Sequence, residues 1–367
     1  MGRKHYIIPI FVPHEGCPHN CVFCNQSRIT GESLKVVKSH ESQKVNAEFV
    51  RNTIEEYLET IENKDATIEV SFFGGTFTAI DINKQRELLA VAKEYKDLRK
   101  INYIRMSTRP DYIDDKILEH LKSFDADIIE LGVQSLDDEV LIKAGRGHSA
   151  EDVRRASKLI KEYGFTLGHQ IMPGLPGSNF EKDINTARES VSMKPDICRI
   201  YPSLVIKDTP METLYERGEY IPYTLKEAIE VCKIIYSLYV ANDINIIRIG
   251  LQPTENINLH GDIVDGPFHP SIRELVEGAV FNDLIEEKIK RLNKNVILSL
   301  NSRDLSKLYA NKKEFFNAML KKISPIKIHV TIDNDLNRGF FTIADENTWY
   351  KLSINEIIKE KVKEGKK

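Results

Sequence analysis

The sequence predicts an α/β fold: a full or partial parallel barrel with a small α+β appendage towards the C-terminus. Three observations predict it. Short apolar, β-branched runs alternate with amphipathic helical segments through roughly the first 250 residues, the pattern of a parallel sheet with right-handed crossovers. On three of these runs polar residues share a face, Glu69 with Ser71, Arg105 with Ser107, and Glu130 with Gln134, as though that face lined a wet cavity. The alternation weakens beyond about residue 255, where Gly261, Pro267 and Pro270 mark an irregular connection.

Candidate strands are 6–12, 67–73, 101–107, 128–134, 166–172, 197–201 and 244–249. Six or seven such units suit a barrel better than a short open sheet. Between them, Phe49, Val50, Ile54, Tyr57, Leu58 and Ile61 follow helical spacing. Three later helices open on capping-box patterns: Ser149 with Asp152, Ser178 with Glu181, and Thr224 with Glu227. On strand 128–134, Glu130, Gly132 and Gln134 share one face and Ile129, Leu131 and Val133 the other. Glu69 with Ser71, and Arg105 with Ser107, repeat the pattern on neighbouring strands. Chemistry on such a scaffold sits at the C-terminal ends of the strands. The appendage is expected to hold a helix at 271–292, a strand at 296–300, a helix at 312–322, strands at 326–332 and 339–344, and a terminal helix. The expected domains are therefore 1–250 and 251–367.

The chain has 367 residues, 41% of them apolar, enough for one large core and an appendage. Its net charge is −3 and its pI near 6.4, so no global charge argues for nucleic acid. The basic stretches 288–294 and 359–367 read as solvated surface. The apolar run 6–12 is too short to span a bilayer and no cleavage pattern follows it; no membrane association and a cytoplasmic location are expected. Of five cysteines, three lie within eight residues. That odd, clustered count argues against a disulfide framework and for a metal or cluster site in a reducing compartment.

Those three are Cys17, Cys21 and Cys24, in Cys-Pro-His-Asn-Cys-Val-Phe-Cys. Three thiolates on one loop can hold three irons of a cubane and leave the fourth open. The alternative is a structural Cys3His zinc site completed by His14 or His19. Gly74-Gly75-Thr76-Phe77-Thr78 ends the second strand, and on its own the Gly-Gly pair reads as a turn. Cys198 and Cys232 read as structural. Cys232 shares a helical face with Ala228, Val231, Ile235 and Leu238, and Cys198 faces the helices if Arg199 and Tyr201 face the cavity. Of the adjacent His169 and Gln170, which point to opposite faces, at most one enters the lumen.

Cysteines at this spacing, with Phe23 before the last, resemble the radical S-adenosylmethionine (SAM) superfamily. The narrower resemblance is to the radical SAM domain of Elongator protein 3. Its landmarks recur in order at Gly74–Thr78, Thr108-Arg-Pro-Asp-Tyr112, Glu130-Leu-Gly-Val-Gln-Ser135, Arg146-Gly-His148, Met172-Pro-Gly-Leu-Pro-Gly177, Ile200-Tyr-Pro202 and Arg217-Gly-Glu-Tyr220. The resemblance runs from about residue 11 to 249. It implies a partial (β/α)6 TIM-type barrel, a [4Fe–4S] cluster on Cys17, Cys21 and Cys24, and reductive cleavage of SAM to a 5′-deoxyadenosyl radical. It further implies SAM contacts from Gly74, Gly75, Thr76, Ser107, Glu130, Gln134 and Arg146, and it puts a polar residue at Gln170, so Gln170 and not His169 is expected inside the lumen. A structural role inside the barrel is the alternative for Glu130 and Gln134, and a surface cation the alternative for Arg146. The implied partners are a reductant such as flavodoxin or ferredoxin, and a tRNA or small-molecule substrate.

The resemblance has a limit. The last hundred residues show no acetyl-CoA-binding pattern, and Gly339–Ala344 is the wrong length and lacks the glycine-rich pyrophosphate loop, so no acetyltransferase domain is expected and carboxymethylation from acetyl-CoA is not carried across. No catalytic residue, substrate or oligomeric state is assigned. Arg248, Gln252 and His269 are open between substrate contacts and a structural connection to the appendage. Two other function classes stay in view: a cluster- and SAM-binding chaperone of the kind related to coproporphyrinogen oxidases, without radical turnover, and a zinc-binding structural protein.

Overall fold

The structure, a computed structural model, describes residues 4–12, 21–25, 45–63, 65–254, 256–258, 261–345 and 348–365. The barrel part runs, in chain order, β1 (His5–Phe11), α1 (Ala47–Thr60), β2 (Thr67–Phe73), α2 (Ile82–Asp97), β3 (Tyr103–Thr108), α3 (Asp115–Ser123) and β4 (Ile128–Gln134). It continues with α4 (Asp138–Lys143), α5 (Ala150–Glu162), β5 (Thr166–Ile171), α6 (Phe180–Ser192), β6 (Ile197–Ile200), β7 (Val205–Ile206), α7 (Pro210–Glu216), α8 (Leu225–Ala241) and β8 (Asn245–Ile249). Seven of these strands form one parallel sheet in the order β1-β2-β3-β4-β5-β6-β8. The result is a partial barrel of six strand–helix units closed by a seventh parallel strand.

Strand alternation sorts the side chains. Ile8, Ile10, Val70, Phe72, Ile104, Met106, Ile129, Leu131, Val133, Leu167, Cys198 and Ile246 are buried in one core together with helix residues such as Val50, Leu88, Val153 and Cys232. Residues one step out of phase face the lumen. His169 lies on the helix side: its ring nitrogens meet Ser157 Oγ at 2.9 Å and Ser190 Oγ at 2.8 Å. Gln170 lines the lumen, as expected.

Helix starts follow the capping signals at two of three places. Ser149 and Thr224 each close a reciprocal capping box, with Asp152 and Glu227. The expected cap at Ser178 is corrected. Asn179 caps α6, accepting from the Lys182 amide at 3.0 Å, while the Ser178 hydroxyl donates to the buried Asp183 carboxylate at 2.5 Å. A buried carboxylate needs donors more than a helix end needs a second acceptor.

The remainder comprises β9 (Ile263–Asp265), α9 (Ile272–Leu292), β10 (Val296–Leu300), α10 (Leu305–Leu308), α11 (Glu314–Ile323), β11 (Ile328–Ile332), β12 (Phe340–Ala344), β13 (Trp349–Ser353) and α12 (Ile354–Glu364). A four-stranded sheet, β11-β10-β12-β13, carries α9, α11 and α12 on one face over Phe281, Ile285, Leu298, Met319, Phe341 and Ile357. The sequence did not predict β13, or the β7–β9 ribbon. β7 is two buried residues, too few to show a period, while β9 and β13 are largely exposed and carry no clean apolar alternation. The first turns of α9 place Ile272 and Val276 in the barrel core and its later turns enter the second core, so one helix ties the two cores together. Among the described residues no helix is long and apolar enough to cross a membrane.

Candidate functional site

The C-terminal ends of the barrel strands surround a cavity of about 740 Å³. Cys21, Cys24, Gly74, Gly75, Thr76, Ser107, Glu130, Gln134 and Arg146 all line it, so the barrel brings together residues separated by over a hundred positions. Cys17, with His14 and His19, lies outside the described residues. Among the described residues, no group of three or more His, Cys, Asp or Glu side chains is arranged to hold a metal.

Local structure explains each position. The Cys24 amide donates to the Cys21 carbonyl at 3.0 Å, folding the two cysteines into one turn. That turn is anchored on both sides: Val22 N donates to Ala144 O at 3.0 Å and Met211 N to Val22 O at 2.9 Å. Val22 and Phe23 pack against Val140, Ala144 and Leu175 on one side and Val205, Met211 and Tyr220 on the other. The aromatic residue before Cys24 therefore wedges the turn between α4 and α7.

Gly74 and Gly75 both have positive φ, +80° and +57°. A Cβ at Gly74 would lie 3.1 Å from the Val12 carbonyl, so the glycines give the strand end a shape that another side chain would disturb. Their backbone faces the cavity beside the cysteines. Ser107 lies at the end of β3. Next to it, the Thr108 and Thr78 hydroxyls meet at 2.5 Å, and Arg109 is held by Asp111 through two hydrogen bonds of 3.0 and 2.9 Å.

Gln134 sits at φ +63°, beside a register shift between Gly132 and Gln134. Bulges of this kind re-aim a side chain. Its carbonyl accepts from Met172 N at 2.8 Å and its side chain meets the Gln170 amide at 3.4 Å. Arg146 is 6% exposed. It donates to Cys21 Sγ at 3.2 Å and to Gly132 O at 2.7 Å, while its Nε finds no partner among the described residues. A buried cation with an unused donor, set against a cysteine sulfur, suits an anionic ligand. Arg146 is thus no surface cation. His148 next to it is kept neutral: burial, with the charges of Arg146 and Arg109, pushes its pKa down to about 3.

Glu130 has a different setting. Its carboxylate oxygens lie 2.8 Å from Arg105 Nη2 and 2.7 Å from Arg199 Nε. These are close charge–charge contacts whose N–H directions are off the line to the oxygens. Arg105 also donates to Glu69 at 3.0 Å, and Ser71 donates to Glu69 at 2.6 Å. Gly168 makes room, since a Cβ there would come within 3.1 Å of Glu130 Cγ. A Glu69–Arg105–Glu130–Arg199 chain therefore crosses the cavity floor. The lumen-facing phase of Glu69, Arg105 and Glu130 was legible in the sequence. Their pairing across three strands was not, because it depends on sheet register.

The Met172–Gly177 loop is held from beneath. The Asp183 carboxylate accepts from Gly174 N at 2.9 Å, Tyr223 Oη at 2.8 Å and Ser178 Oγ. Tyr220 Oη donates to Gly174 O at 2.6 Å. Burial pushes the Asp183 pKa up to about 6, against the pull of these donors. Nothing in the sequence marked Asp183. His269 does not line the cavity; its Nδ1 accepts from Ser271 N at 3.1 Å at the start of α9. Arg248 and Gln252 do line it.

Comparison with known proteins agrees with this geometry. The radical SAM superfamily profile matches residues 11–189, and the Radical_SAM C-terminal domain profile matches residues 195–281. A tRNA uridine(34) acetyltransferase of Methanocaldococcus jannaschii is 32% identical over 255 residues, 61% of this chain and 47% of that protein. Human Elongator complex protein 3 is 27% identical over 262 residues, 62% of this chain and 48% of that protein. The chain thus spans about half the length of these relatives. The solved structure of Methanocaldococcus infernus Elp3 with an N-terminal deletion superposes with a TM-score of 0.58 at 26% identity, covering 78% of this chain and 64% of that one. With the barrel, the cysteine turn and the strand-end glycines in place, the chain belongs to the radical SAM superfamily and is related to Elongator protein 3 through its radical SAM region.

Proposed function

We propose that the protein is a radical SAM enzyme that holds a [4Fe–4S] cluster on Cys17, Cys21 and Cys24 and acts on a tRNA nucleoside. One observation carries this reading: the Cys21–Cys24 turn opens into the same cavity as the Gly74–Gly75 backbone and the buried Arg146 guanidinium, which meets Cys21 Sγ. Three thiolates on that loop suit a cubane with one open iron. When bound, the cluster supplies an electron that cleaves SAM to methionine and a 5′-deoxyadenosyl radical.

The chain's own residues have definable work on this reading. The Gly74–Thr76 backbone, free of a Cβ at its two glycines, receives the methionine end of SAM. Arg146 faces its carboxylate with a fixed positive charge. Ser107 and Gln134 offer hydrogen bonds at the ribose, and Gln134 is aimed there by its bulge. Glu130, held between Arg105 and Arg199, contributes a fixed negative charge to the floor more than a free acceptor. Phe11, Phe73, Met172 and Leu251 line the remaining wall and keep water from a reactive intermediate. These side chains lie mainly within 1–250, which we take as the catalytic domain, with 251–367 as its extension. The substrate class rests on the relatives whose names specify tRNA uridine. A tRNA substrate and a flavodoxin or ferredoxin reductant place the reaction in the cytoplasm.

Anaerobic purification tests the reading. The expected product is a brown protein with iron and sulfide in equal amounts, releasing 5′-deoxyadenosine on reduction with SAM. Cys17→Ala, Cys21→Ala and Cys24→Ala are each expected to lose the cluster; retention in all three overturns the assignment. Unchanged modified tRNA nucleosides in a deletion strain would remove the tRNA reading and leave the SAM chemistry standing.

A further inference from the structure

Among the described residues, the cations around the cavity have partners, with one exception. Arg109 is held by Asp111, Arg105 lies between Glu69 and Glu130, and Arg146 is on Cys21 Sγ and Gly132 O. Arg199 contacts Glu130, donates to Tyr201 Oη at 3.0 Å and lies 5.6 Å from the centre of the Phe73 ring. Arg248, half-buried on β8, has no hydrogen-bond or ion-pair partner among the described residues. Among the described residues, Glu130 is the only carboxylate lining the cavity, and it already lies between two arginines.

The placement of Arg248 comes from a backbone irregularity. Along β6 and β8 the register runs Cys198↔Ile246 and then Arg199↔Arg248, passing over Ile247. In unbroken register Arg199 would face Ile247, and Arg248 would point with Cys198 towards the helices. The extra residue turns Arg248 into the lumen, directly opposite Arg199, on strands roughly 4.8 Å apart. Like charges directly opposite in a sheet are destabilising. The pairing of Arg199 with Arg248 therefore costs stability, and an anion between them would offset it. Gly250, at φ +78°, then turns the chain so that Gln252 and Thr254 also line the cavity. Arg248 follows the part of the chain that meets SAM on the proposed reading, on the far strand of the sheet from the cysteine turn.

We propose that Arg248, with Gln252 and Thr254, forms an anion-binding subsite that takes a phosphate or carboxylate group of the substrate. The guanidinium is permanently charged and its forked donors match both groups. The inference rests on reading the cavity as the place where radical and substrate meet, and it narrows that reading to substrates carrying an oxyanion close to the reacting atom.

The test uses the reconstituted full chain under anaerobic conditions, saturated with SAM and without reductant, so that the Arg146 side is filled. Wild type, Arg248→Gln and Arg248→Lys are titrated calorimetrically with inorganic pyrophosphate and with acetate, and their thermal midpoints are read with and without each anion. At least one anion is expected to bind wild type and to bind Arg248→Gln at least about tenfold more weakly, with Arg248→Lys in between. Tighter pyrophosphate binding assigns a phosphate-bearing substrate, and tighter acetate binding a carboxylate. Without anions, Arg248→Gln is expected to melt higher than wild type, because the repulsion with Arg199 is gone, and to gain less from the anion. Equal affinities in wild type and Arg248→Gln, no binding by wild type at about 10 mM, or a lower melting point for the anion-free variant would each overturn the subsite. Failure of wild type to bind or cleave SAM would count against the proposed function instead. The same titrations without SAM would still read Arg248.

Discussion

Replacing Glu130 with glutamine keeps its size and removes the charge at the centre of the cavity floor. The side chain is 3% exposed and its two oxygens sit 2.8 and 2.7 Å from Arg105 and Arg199. Arg105 would keep Glu69 at 3.0 Å. Arg199 would keep only the Tyr201 hydroxyl and the Phe73 face, neither of which carries a negative charge. Breaking one side of a buried ion pair costs about 3–5 kcal/mol, because the remaining charge stays buried without compensation. With a urea slope of about 3 kcal/mol per molar, the unfolding midpoint should fall by roughly 1–1.7 M. Urea unfolding at pH 7, followed by circular dichroism, measures it. Adding Arg199→Leu to Glu130→Gln should recover more than about 1 kcal/mol relative to the sum of the single changes, since the orphaned cation is then removed. A loss below about 1 kcal/mol in Glu130→Gln, or strict additivity in the double variant, would refute the claim that Glu130 neutralises the two arginines.

Three further outcomes are expected. Burial holds His169 at about 3, so the unfolded chain takes up its proton near 6.5 while the native state does not; stability should fall as pH drops from about 6.5 towards 3, by up to about 1.4 kcal/mol per pH unit from this residue, and His169→Asn should flatten the slope in urea titrations across that range. Asp183 acts in the opposite sense: with its pKa raised to about 6, the native state keeps a proton between about pH 4 and 6 that the unfolded chain releases. Ionisation therefore removes stability as pH rises, and Asp183→Asn should look progressively worse relative to wild type as pH falls from 7 to 4. Gly278→Ala in α9 would place a Cβ 2.5 Å from Ala310 Cβ and 2.6 Å from Lys307 O, an overpacking worth about 1–3 kcal/mol that differential scanning calorimetry should show as a lower melting temperature.

Short apolar runs alternating with helical segments were enough to place all seven parallel strands, and on three of them polar residues two apart gave the lumen-facing phase. Local chemistry was equally legible where a few residues decide the conformation. Ser149 and Thr224 cap their helices, and Gly74–Gly75 end a strand. At Ser178 local reading failed, because a carboxylate five residues on, buried by the fold, drew the hydroxyl away from the helix end. The β7–β9 ribbon and β13 also escaped, β7 because two buried residues cannot show a period and β9 and β13 because they are largely exposed.

What the sequence by itself determined was the α/β class, the lumen-facing phase of Glu69, Arg105 and Glu130, and the cysteine motif that names the superfamily. Only the tertiary structure decided which of those polar groups neutralise one another. Arg105 and Arg199 meet Glu130 through sheet register, and a one-residue slip between β6 and β8 turns Arg248 into the cavity instead of into the core. Periodicity is local and can be read along one chain segment. Pairing depends on how far each strand slides against the next, and that is set by the packing of the whole barrel.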